Sequence, residues 1–137
     1  MATQIHVNLP VKDLPAAKKF FAELGYAFEA EFTDDNAACL VIEDNIYVML
    51  LTEDFFRSFS KKEIPDTGRT AEAILALGVD SRERVDELVD KALAAGGTAT
   101  REPMDEGFMY ARSFQDLDGH LWEVITLDLE AMRAQQG

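Results

Sequence analysis

Cysteine is almost missing from this chain. Cys39 is the only one, which excludes an intrachain disulfide and frees the fold from any need for an oxidising compartment. It lies in the apolar run 37–42, where a packed thiol is expected rather than a nucleophile. Long hydrophobic stretches are missing too. The longest, 46–51, is far short of the roughly 20 residues that a bilayer-spanning helix needs. Basic residues are few: 13 Lys and Arg face 26 Asp and Glu, a formal net charge of −13. That excess repels phosphates and excludes nucleic acid as a natural partner, while leaving a cationic small molecule charge-matched. No phosphate loop, CxxC pair, nucleotide fingerprint or nucleophile triad is found. Residues up to Pro10 hold no basic-then-apolar leader, so the cytoplasm is the expected compartment.

What is present is a repeat. At 137 residues with 47% hydrophobic content, the chain can bury a core as one domain. Residues 5–13 match residues 73–81 when shifted by 68. Val7, Leu9 and Val11 alternate as one apolar strand face, and Leu75, Leu77 and Val79 do the same. Each strand leads into a capped amphipathic helix. Asp13 is the first cap, with Pro15 in the first turn, a stripe of Leu14, Ala17, Phe21 and Leu24, and Gly25 as the stop. Asp80 or Ser81 caps the second, whose stripe is Val85, Leu88, Val89 and Ala92 before Gly96-Gly97.

Short strands follow each helix, at 27–32, 37–42 and 46–52, then at 98–101, 109–114 and 121–126. Asp118-Gly119 marks a hairpin turn because glycine accepts a positive φ. Both halves, about 3–52 and 71–127, therefore read βαβββ. The polar linker 53–70 carries Phe55, Phe56 and Phe59, which are expected to be buried, and 128–136 reads as a frayed helix. One helix cannot cover both faces of four strands. The expected fold is thus α+β: two βαβββ modules in one domain over 1–137, forming a curved mixed sheet with helices outside and a central cleft. The cleft face carries Gln4, His6 and Asn8 in the first strand, Glu72, Ile74 and Ala76 in its repeat, and Glu123 between Leu121 and Ile125 in the last.

With His6-Val7-Asn8-Leu9-Pro10-Val11-Lys12-Asp13-Leu14, then Phe20-Phe21-x-x-Leu24-Gly25, and the closing Asp116-Leu117-Asp118-Gly119-His120-Leu121-Trp122-Glu123, the chain resembles the vicinal-oxygen-chelate superfamily, which includes glyoxalases, bleomycin-resistance proteins and extradiol dioxygenases. It is most similar to the lactoylglutathione-lyase-like branch. The resemblance implies one divalent metal (Zn, Ni, Fe or Mn) held by first- and last-strand residues of both modules. Those positions fall on His6, on Met49 (or Leu50 in a slipped register), on Ile74 and on Glu123. Two of the four are donors, which leaves the centre incomplete and the metal not tightly bound.

The leading expectation is a protein binding a small organic molecule in the cleft. Met49, Ile74, Tyr110 and Arg112 would contact the ligand, and Glu123 would be the catalytic carboxylate if there is chemistry, with Arg112 as a structural partner able to satisfy it. Two alternatives stand beside it. One is a metal-dependent lyase, isomerase or dioxygenase with His6 and Glu123 as ligands. The other is a drug-sequestering resistance protein without catalysis. A homodimer is implied by analogy with relatives.

Overall fold

A computed structural model describes residues 3–136. The chain divides into two compact units, one running to Asp66 and the other starting at Thr67.

In the first unit, β1 (Ile5–Val11) leads to α1 (Leu14–Glu23), then β2 (Ala27–Glu29), β3 (Ala37–Glu43), β4 (Ile46–Thr52) and the short α2 (Glu53–Arg57). The second repeats the pattern with β5 (Ile74–Gly78), α3 (Arg82–Ala94), β6 (Met104–Asp105), β7 (Met109–Gln115) and β8 (Leu121–Leu127), closing with α4 (Leu129–Gln136). The sheets have orders β1-β4-β3-β2 and β5-β8-β7-β6. In each, the outer first strand runs parallel to the last, and the remaining pairs are antiparallel. Both units are therefore βαβββ modules with mixed sheets, as the shifted repeat predicts.

The helices form where the capping chemistry places them. Asp13 Oδ1 accepts from the Ala16 amide at 3.1 Å, and Ser81, rather than Asp80, accepts from the Arg84 amide at 3.1 Å. In α1, Leu14, Ala17, Phe20 and Phe21 are buried, joined by Leu24 just beyond; in α3 the buried residues are Val85, Leu88, Val89 and Ala92. Each large side chain so buried contributes about 1.5–3 kcal/mol of apolar burial. Trp122 and Phe114 anchor the second core, stacked with ring planes 3° apart and centroids 6.2 Å apart.

Three expectations are corrected. Strand 27–32 stops at Glu29, and residues 30–32 coil into a 3₁₀ turn. Thr33 drives this: its hydroxyl donates to the Glu29 carbonyl at 2.7 Å and accepts the Cys39 amide at 3.0 Å, taking a donor that a longer strand would use. Strand 98–101 is also displaced. Thr98 makes an isolated bridge to Gln115, and regular pairing resumes only at Met104, past Pro103, which has no N–H to give. Finally, Phe55 and Phe56 are half-buried while Phe59 is 70% exposed, because α2 ends at Arg57 before the third phenylalanine reaches the sheet.

The β7–β8 turn is clamped from outside the ladder. The Thr67 hydroxyl donates to the Asp118 carbonyl, and the Thr67 peptide lies against Gly119, whose φ is +86°.

Candidate functional site

Strand alternation gives the second module's sheet two faces. Trp122 and Val124 point to the helix, so Leu121, Glu123 and Ile125 point away from it. The ladder aligns Glu123 with Ser113 on one side and Ala76 on the other, and Ile125 with Gly78. This far face holds a compact polar group. Arg101 reaches from the irregular stretch before Pro103 and forms an ion pair with Glu123 through one Nη. Beside them, the Thr100 and Ser113 hydroxyls share a hydrogen bond of 2.7 Å. Around the pair, β5 offers only small groups, Ala76 and Gly78, and a Cβ built on Gly78 meets nothing within 4 Å. Ile74, 63% exposed, closes one end. A charged pair bordered by open space and apolar side chains can orient a small polar ligand.

Tyr110 and Arg112 stand on the opposite, helix-side face. Both share strand parity with Phe114, which pairs with Trp122. Their polar ends are spent on α3: the Tyr110 hydroxyl donates to Asp86 at 2.6 Å, and Arg112 donates to Asp86 and Asp90 at 2.9 Å each. The ladder therefore puts Arg112 out of reach of Glu123, and Arg101 is the partner instead. The Tyr110 hydroxyl, and after it Arg112, hold the Asp86 carboxyl below its ordinary range despite opposing desolvation. A carboxyl lowered in the folded state stabilises above its unfolded pKa, and the contribution fades as pH falls below about 4. Tyr110→Phe is expected to cost about 0.5–1 kcal/mol at neutral pH, less than a buried bond because Asp86 is half exposed. Urea midpoints at neutral pH and near pH 3 check this, with the difference shrinking in acid.

The first module carries its own far face. His6 and Tyr47, paired across β1 and β4, stack with centroids 4.8 Å apart and planes 11° apart. His6 Nε2 lies 3.4 Å from Gln4 Oε1. Met49 sits between Asn8 and Cys39 in the ladder, and Cys39 is buried, its thiol pushed up by desolvation and then by Glu29. The pairing also fixes a register that the sequence left open. Val48 pairs with Val7 as Trp122 pairs with Leu75, so Met49, not Leu50, is the counterpart of Glu123, and His6 is the counterpart of Ile74.

This bears on the metal centre. Each module supplies one conventional donor, His6 in the first and Glu123 in the second, and the counterparts Ile74 and Met49 offer an alkyl chain and a weak thioether. Glu123 already neutralises a guanidinium. Among the described residues, no group of three or more His, Cys, Asp or Glu side chains is placed to hold a metal ion. The donor set does not fit a glyoxalase-type centre.

Elsewhere in the second module, a cavity of about 480 Å³ lies where α3 begins and β8 ends, lined by Arg82, Tyr110, Asp128 and neighbours. Its arginine is bound to both oxygens of Asp105 at 2.7 and 2.9 Å and stacks 4.8 Å over Tyr110. Arg82 thus ties α3 to the β6 loop, and the far face carries the better-equipped chemistry.

The glyoxalase/bleomycin resistance protein/dioxygenase superfamily model matches residues 3–124. A hypothetical protein, SA1046, from S. aureus is 28% identical with a TM-score of 0.77, over 92% of this chain and 94% of that one. A glyoxalase/bleomycin resistance protein/dioxygenase family enzyme from Burkholderia phytofirmans PsJN is 20% identical with a TM-score of 0.74, over 92% and 99%. The fosfomycin resistance protein FosX from Mesorhizobium loti is 15% identical with a TM-score of 0.69, over 97% and 98%; at such identities the last two likenesses establish fold alone. No curated protein matches the sequence. Among the described residues, no helix is long and apolar enough to cross a membrane.

Proposed function

Because the chain belongs to the glyoxalase/bleomycin resistance protein/dioxygenase superfamily, we propose that it binds a small organic molecule on the sheet face turned away from the helix, and that its metal centre is incomplete. The observation that carries this reading is the ion pair between Glu123 and Arg101, which gives the Glu123 carboxylate of that face a resident cation. Each module's far face has an apolar side chain where a donor would otherwise stand, Met49 in the first and Ile74 in the second. If Glu123 also moves protons, it does so from this pair.

Protein purified without chelator or affinity tag is expected to hold Zn²⁺ or Ni²⁺ well below one per chain, and to leave the methylglyoxal–glutathione hemithioacetal unconverted. Elemental analysis and that assay, repeated on Glu123→Gln and His6→Ala, decide the matter. One tightly held metal per chain, lost with activity in both variants, would promote a metal-dependent lyase or dioxygenase instead. A metal-free protein that takes up a cationic glycopeptide with salt-sensitive affinity would promote drug sequestration, for which the net charge of −13 is suited.

The same reading takes both modules as one functional domain, working as a cytoplasmic homodimer. In the first module, exposed Ile5 on the outer strand β1 and exposed Phe59 support an apolar contact with a second copy. Replacing Phe55, Phe56 and Phe59 together by serine is expected to weaken that association or lower stability. Unchanged sedimentation and an unchanged urea midpoint would count against it.

A further inference from the structure

We propose that Arg101 is a carboxylate receptor, and that the ligand of the second module is a small organic acid with an apolar body. The inference rests on the small-molecule reading of this face and names the ligand's class and the residue that recognises it. A guanidinium presents several N–H donors in a rigid planar fork. Among the described residues, Glu123 takes one Nη of Arg101, through one of its own oxygens, and the rest of the fork is unspent. The side chain is 36% exposed, so its free edge is reachable. Glu123 thus acts as a tethered carboxylate on a receptor with room for another.

The surroundings match such a ligand. Ala76, level with Glu123 on β5, and Gly78, level with Ile125, leave the space beside the pair unfilled. Ile74 and Ile125 border that space with apolar surface suited to the ligand's body. The hydroxyl pair of Thr100 and Ser113 lies on the other flank, where an oxygen could be accommodated. A bulky residue at Ala76 would occupy the body's place.

Benzoate, benzamide and benzylamine separate charge from shape, since they share a ring and differ in the head group. Calorimetric titration of the full chain is expected to show benzoate binding about tenfold more tightly than benzamide, with benzylamine weaker than either. Arg101→Gln should remove the preference for benzoate. Glu123→Gln should strengthen benzoate about threefold or more, because the internal competitor is gone while the fork remains. Ala76→Leu should weaken benzoate and benzamide together. A structural ion pair would act on benzoate only through its field, which salt screens, so opposite changes in the two charge variants that persist at high salt are the decisive readout, with far-ultraviolet circular dichroism verifying that each variant is folded. Benzamide binding as tightly as benzoate, or benzoate weakened by Glu123→Gln, overturns the carboxylate assignment and leaves the small-molecule reading standing. Absence of binding by all three probes overturns the assignment as well. A stoichiometric metal lost with Glu123→Gln overturns the reading beneath it.

Discussion

Replacing Asp116 by alanine is expected to cost about 3–5 kcal/mol of stability. The carboxylate is buried and holds the β7–β8 turn from within. Its Oδ1 accepts the Asp118 and His120 amides at 3.0 Å each, and its Oδ2 accepts the Trp122 indole N–H at 3.0 Å. Alanine would strand all three donors, one of them in the core. Asparagine should cost less, because its carbonyl can keep both backbone bonds while its NH₂ group opposes the indole N–H. The expected order is therefore alanine worse than asparagine, and both worse than wild type, measured as urea midpoints. Equal stability in all three would refute this role for the carboxylate. Burial pushes the Asp116 carboxyl up, and His120 followed by the three donors offsets this only in part. An acid raised in the folded state binds its proton more tightly there than in the unfolded chain. Its contribution to stability thus declines as pH rises from about 4 toward the folded value. Asp116→Asn should abolish that slope, visible as a shrinking gap between wild type and variant over that range.

Gly119→Ala is the second large effect, about 3 kcal/mol of destabilisation, from two separable causes. A φ of +86° is strained for any residue with a Cβ, and here the added carbon would also press on the Thr67 carbonyl, with its carbon 2.9 Å away. Gly107→Ala is the control. Its φ is +82°, yet nothing lies within 4 Å of the added carbon, so only the backbone cost of about 1 kcal/mol should remain. Similar losses at both positions would mean that the linker yields freely. A larger loss at Gly119 would show that the Thr67 clamp is a rigid part of the fold.

Much of this architecture is legible in the sequence. The alternation in Val7, Leu9 and Val11, its echo at Leu75, Leu77 and Val79, and the two capped stripes are local patterns, and they set both modules. Register was harder. Whether Met49 or Leu50 faces outward depends on which residue of β1 lies opposite, a nonlocal fact that periodicity leaves undecided. The same gap leaves the face of Tyr110 and Arg112 open until their pairing with β8 is known. Arg101 was missed for a different reason: it lies in an irregular segment before Pro103, where neither a period of two nor of 3.6 tells which way a side chain turns. Asp116 was recognised as part of a motif, but its burial under the indole of Trp122 depends on tertiary packing.

Trp122 is the chain's only tryptophan, and it lies in the second module, stacked on Phe114 and bonded to Asp116. Indole emission is therefore an optical probe of one half of the molecule. Backbone dichroism, by contrast, averages over α1 and α3 together. Following both signals through one denaturant titration compares a local clock with a global one. Coincident midpoints would show that the two halves melt as a single cooperative unit, and an early loss of helix signal at constant emission would show the first half letting go on its own.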